Sequence, residues 1–105
     1  MRFAENLKKL PRISHIATLR LLDADGNEIA RIENKPGSAG SVAVYNYLAQ
    51  IYGAITMEAA EKGLELYAEH TEEARATPGK HPSIDRLIDI AAGAPVLKVK
   101  PVFAV

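Results

Sequence analysis

No cysteine occurs in the sequence, which excludes disulfides, thiolate metal sites and cysteine nucleophiles together and suits a reducing cytoplasm. Net charge is also lacking, since thirteen basic side chains stand against thirteen acidic ones. The global attraction toward nucleic acid or anionic lipid is therefore missing, and neither a nucleic acid nor a membrane is expected as a partner. Arg2, Glu5, Lys8 and Lys9 interrupt the opening residues before an apolar leader can form. One long stretch, Pro36 to Met57, carries no charge at all. It holds Pro36, Gly37, Gly40, Gly53, Asn46, Gln50 and several hydroxyls, and so falls short of the continuous apolar content of a membrane span.

What is present is the composition of an ordinary folded protein. Of the 105 residues 48% are hydrophobic and 25% charged, and the length suits one core rather than two, so residues 1–105 are expected to form a single globular domain. The charges are unevenly placed. Arg2, Lys8, Lys9, Arg12 and Arg20 give the first twenty positions a positive surplus, whereas Glu58, Glu61, Glu65, Glu69, Glu72 and Glu73 make residues 57–76 acidic. Two readings follow: solvated faces that pair within one molecule, or complementary patches that dock two copies into a homo-oligomer.

Phe3, Leu7 and Leu10 recur at helical spacing up to Pro11. The runs His15 to Leu22 and Glu28 to Glu33 flank Asp23-Ala24-Asp25-Gly26-Asn27, which predicts a β-hairpin. Beyond the loop Asn34 to Gly40, Ser41 is the expected N-cap of a helix running to Tyr52, apolar except for Asn46 and Gln50, with Gly53 as its stop. Val42, Tyr45, Leu48 and Ile51 are its expected core residues. Thr56 is the expected cap of the next helix, which turns Ala60, Leu64, Tyr67 and Ala74 inward. After Pro78-Gly79-Lys80-His81-Pro82, Ser83 is the expected cap of a last helix, with Ile84, Leu87, Ile88 and Ala91 on one side and Gly93 as its stop. Val96 to Lys100 alternates as a half-buried strand, and Pro101 places it at a sheet edge or marks its end. The fold class is therefore α+β: a β-hairpin and a C-terminal strand form a small sheet packed against three to four helices.

Chemical motifs are sparse. Asp23 to Asn27 is no calcium loop, because Gly26 comes two positions early and Asn34 stands where the bidentate glutamate belongs. His15, His70 and His81 lack zinc-ligand spacing, and His70 with Glu73 suits a helix surface, so no metal and no cofactor is expected. Gly37-Ser38-Ala39-Gly40-Ser41 comes nearest to a nucleophile elbow, with serine one position out of place, so no catalytic residue is legible. The same segment is glycine-rich, follows a strand and opens a helix, a combination suited to an anion although it is neither a Walker A nor a dinucleotide loop. Lys35, Gly37, Gly40 and Ser41 from this loop, with Lys80, His81 and Ser83 from the second, are the candidate anion-binding residues, provided the two loops lie side by side.

The hairpin Leu21 to Gly26, the loop Glu33 to Ser41 and the run Pro78 to Leu87 together resemble the bacterial domain of unknown function 2322 family. The resemblance implies a bacterial, cytoplasmic, stand-alone domain and brings no catalytic or binding residue with it. The favoured expectation is a non-enzymatic interaction module that self-associates. The alternative is a small-anion or nucleotide-phosphate binding protein, enzymatic or not, using the loops before Ser41 and Ser83.

Overall fold

The computed structural model describes residues 2–105. Helix α1 (Phe3–Leu7) leads into β1 (Ile16–Leu22) and β2 (Glu28–Glu33), followed by α2 (Ala39–Tyr52), α3 (Met57–Tyr67), α4 (Glu69–Ala76), α5 (Pro82–Ala91) and β3 (Lys98–Phe103). The sheet is antiparallel throughout with order β2-β1-β3, so the C-terminal strand joins the hairpin on the free side of β1. Pro101, which has no N–H to give, lies in an edge strand, as its chemistry requires.

The Asp23 carboxylate accepts 2.9 Å hydrogen bonds from the amides of Asp25 and Asn27, and Gly26 supplies the positive φ of the turn. The amide of Asn27 above all holds the Asp23 carboxyl below its ordinary range. Period-two alternation then sorts the strands. Leu19 and Leu21 of β1 are fully buried, paired with Ile32 and Ala30 on one side and with Pro101 and Val99 on the other. Helix α2 packs on the sheet, and Val42, Val44, Tyr45 and Leu48 are shut off from solvent. Among the described residues no helix is long and apolar enough to cross a membrane.

Several local expectations need correction. Ile51 is 60% exposed. Each three-residue step falls about 60° short of a full helical turn, so three of them carry Ile51 to the face opposite Val42. Ser41 caps nothing: α2 begins at Ala39, because the Lys35 carbonyl accepts from the amides of Ser38 and Ala39 and starts the coil early. Ser83 likewise lies inside α5, which starts at Pro82 with His81 as its N-cap, the preset φ of proline favouring the first helical position. Thr56 does cap α3, its hydroxyl accepting from Ala59 N at 3.1 Å.

The glutamate-rich segment is two helices rather than one, which makes five among the described residues. The break falls at Ala68, a non-glycine residue with φ 51° and ψ −117°. Thr71 of α4 reaches back across it and donates a 2.6 Å hydrogen bond to the Leu64 carbonyl, one of those that α3 leaves unsatisfied at its end. Helix α1 packs against α3, with Phe3 N donating to Glu69 Oε1 at 2.7 Å and Asn6 Nδ2 donating to the Leu66 carbonyl at 2.9 Å. The basic opening and the acidic helices are thus neighbours within one chain.

Candidate functional site

The start of α2 and the start of α5 meet, because Tyr45, nearly two turns into α2, donates a 2.6 Å hydrogen bond to the Ser83 carbonyl. Between them lies a cleft of about 480 Å³. Gly37, Gly40, Ser41, Lys80, His81 and Ser83 line it, so the two loops singled out in the sequence do lie side by side. Lys35 is not among its lining residues. It pairs instead with Glu33 at 3.0 Å and borders an adjoining depression that shares Ser38 and Ser83 with the cleft.

Among the described residues, the amides of Gly40 and Ser41 in α2 and of Ser83 in α5 donate to no carbonyl and no side chain. They are first-turn donors of helices long enough to carry an appreciable dipole. Ser41 Oγ accepts a 2.7 Å hydrogen bond from the Tyr67 hydroxyl, and Ser38 Oγ donates to the Glu33 carbonyl, so both hydroxyls serve the fold. Gly40 lets the Phe3 ring approach closely: a Cβ there would sit 3.1 Å from that ring and would need it to shift by a few tenths of an ångström. That ring stacks on Tyr67 with centroids 5.1 Å apart and meets His70 edge-on at 5.2 Å, which sets the plane of the imidazole.

Sequence spacing did not group His70, Glu73 and His81, yet the fold brings them together. An i,i+3 step puts His70 and Glu73 on one face of α4. The turn after α4, with Gly79 at φ 94° and its N–H bonded to Asp85 Oδ2 at 2.8 Å, returns His81 to the same place. His81 Nε2 lies 3.1 Å from Glu73 Oε2, and His70 Nδ1 lies 3.5 Å from the same oxygen. His81 first, then His70, with the Lys80 charge adding, hold the Glu73 carboxyl below its ordinary range. His70 Nδ1 is buried and makes no hydrogen bond. The signal that could have found this trio is the helix–turn–helix spacing His-x2-Glu-x7-His, which falls outside short ligand motifs because the turn supplies the closure.

A larger groove of about 790 Å³ runs between α1 and α3. Its walls mix Lys9 and Lys62 with Glu65, Glu69 and Glu72, so it offers neither a convergent set of donors nor a single sign of charge. The cleft at the starts of α2 and α5 is the better site on chemical grounds.

Fold and site together define a small α+β domain in which a three-stranded antiparallel sheet carries helices, two of whose N-termini frame a cleft. The chain belongs to DUF2322, a family of uncharacterized proteins conserved in bacteria, whose model matches residues 3–101. No curated protein and no solved structure matches it.

Proposed function

We propose that the protein binds a small anion of the phosphate or carboxylate class in the cleft between the starts of α2 and α5, within the reducing cytoplasm that its cysteine-free composition suits. The observation that carries this reading is the convergence on one cleft of the unpartnered amides of Gly40, Ser41 and Ser83. Both helix dipoles present their positive ends there, and Lys80 adds a further positive charge. No catalytic step is assigned to the cleft. In an amide-shift titration with inorganic phosphate, Gly40, Ser41 and Ser83 move and saturate together, whereas Gly26 in the distant hairpin stays still. If these three amides remain in place in excess phosphate, the reading is wrong.

Self-association is a second reading, and its support is the edge strand β3, where Val102 and Phe103 are exposed and, among the described residues, no strand lies on the outer side. The charge asymmetry no longer argues for it, because α1 and the acidic helices already adjoin within one chain. Light scattering that finds a monomer at high protein concentration removes this reading.

A further inference from the structure

We propose that His70, Glu73 and His81 form a binding site for one divalent transition-metal ion of the zinc class. The three donor atoms, His70 Nδ1, Glu73 Oε2 and His81 Nε2, all lie within 4.8 Å of one another. Two of the separations, 3.1 and 3.5 Å, bracket the roughly 3.4 Å expected between donors that each sit about 2.0 to 2.1 Å from a tetrahedral zinc ion. Two imidazoles and one carboxylate suit zinc, cobalt, nickel or iron rather than calcium or magnesium, which take oxygen ligands.

A hydrogen-bonded surface trio would explain the Glu73–His81 contact but not the state of His70. Its Nδ1 is buried, makes no hydrogen bond and shares the space between the other two donors. A buried ring nitrogen held 3.5 Å from a carboxylate oxygen, too far for a well-made hydrogen bond, is poorly satisfied, and a cation between the three groups satisfies it. The surroundings hold the donors in place. Phe3 packs edge-on against His70, the His81 ring lies 5.7 Å from it, and His81 is fixed as the N-cap residue of α5. Lys80 is the nearby positive charge that opposes a dication, and its exposed side chain is free to turn away.

Three protein ligands leave a coordination position vacant, the arrangement of reactive rather than structural zinc sites. His70 and His81 also line the cleft, so the proposed site adjoins the space between α2 and α5. The metal site stands on side-chain donors and the anion reading on backbone amides; His81 borders both, but either reading can fail without the other.

Tag-free protein, stripped with chelator, is titrated with zinc in a calorimeter and with cobalt(II) in a visible spectrometer, both without phosphate. Saturation at one ion per chain and the intense visible bands of a four- or five-coordinate cobalt ion are expected. His70→Ala, Glu73→Gln and His81→Ala each weaken binding by at least about tenfold, the lower end of what losing even an outer-shell partner costs. His15→Ala, remote from the trio and stacked on Phe103, leaves affinity unchanged. Because His81→Ala also removes an N-cap residue, the wild-type imidazoles are read directly by nitrogen-detected NMR, where zinc shifts His70 Nδ1 and His81 Nε2 and spares His15. Absence of saturable binding, binding indifferent to all three variants, or shifts confined to His15 would each overturn the proposal. Phosphate titration of the chelator-treated protein then reports on the amide cleft alone.

Discussion

Tyr45 and Ser83, far apart in the chain, are joined by a 2.6 Å hydrogen bond from the buried phenol to the backbone carbonyl. The same phenol oxygen accepts from Arg86 Nη1 at 3.3 Å, so one side chain of α2 fixes both the height and the rotation of the α5 start. Tyr45→Phe removes the donor without changing the shape. It is expected to lower stability by about 1 kcal/mol, read from urea denaturation, because an ordinary intramolecular hydrogen bond contributes about that much. An unchanged denaturation midpoint would show that the bond contributes nothing net.

Burial pushes the Tyr45 phenol up to about 12 against the opposing pull of Arg86, and burial pushes Tyr67 further the same way. The folded state therefore favours the neutral phenols, whereas an unfolded tyrosine ionises near pH ~10. The stabilisation is complete below that pH and is lost as pH rises from about 10 toward 12. Denaturation midpoints measured across this window should fall, and fall less steeply in Tyr45→Phe. A flat profile would contradict the assignment.

At Gly63, on α3, an added Cβ would lie 2.6 Å from Leu87 Cδ1 and 2.9 Å from Leu48 Cδ1. Both leucines are fully buried, so their ends can move aside only by displacing other core side chains. Gly63→Ala gains up to about 1 kcal/mol of helix propensity, but overpacking costs roughly 1 to 3 kcal/mol. A net loss of stability is expected, and a variant that melts higher than the parent would show that α3 can slide on α5.

Ala68 adopts φ 51° and ψ −117°, a conformation that glycine reaches without the Cβ penalty. Ala68→Gly is expected to raise stability by up to about 1 kcal/mol despite the added chain entropy of the unfolded state, which tempers the gain. Thermal melting decides the sign. A clear destabilisation would mean that the alanine methyl makes contacts worth more than the strain.

The parts of this architecture that were legible in the sequence are those written in periodicity and turn chemistry. The hairpin shows in the alternation around Asp23 to Asn27, the central helix in the uncharged run through Tyr45 and Leu48, and the edge position of the last strand in Pro101. Both loops of the cleft were visible as Gly-Pro clusters ahead of helices. The break at Ala68 was not, because alanine is a good helix former and the Thr71 hydrogen bond that accompanies the kink closes only once both helices exist. The helix starts were misplaced for a related reason: a serine beside a glycine reads as a cap, but backbone turns at Lys35 and the preset φ of Pro82 fix the first turn instead. The His70–Glu73–His81 grouping was missed because its spacing runs across a turn and so lies outside the short ligand motifs.

The central strand of the sheet has a partner on each side, and the two become available at different times. As the chain is made from its N-terminus, β1 meets β2 within a few residues, but the whole of α2 to α5 must emerge before β3 can reach Ile16 to Leu22. Until then one edge of β1 is an open row of amides and carbonyls beside Leu19 and Leu21, a template for any extended segment nearby. The closing step joins residues of high sequence separation, which makes it slow relative to the helices. The interval between those two pairings is the period in which a nascent chain of this protein is most exposed to misassembly and to chaperones that bind bare strand edges.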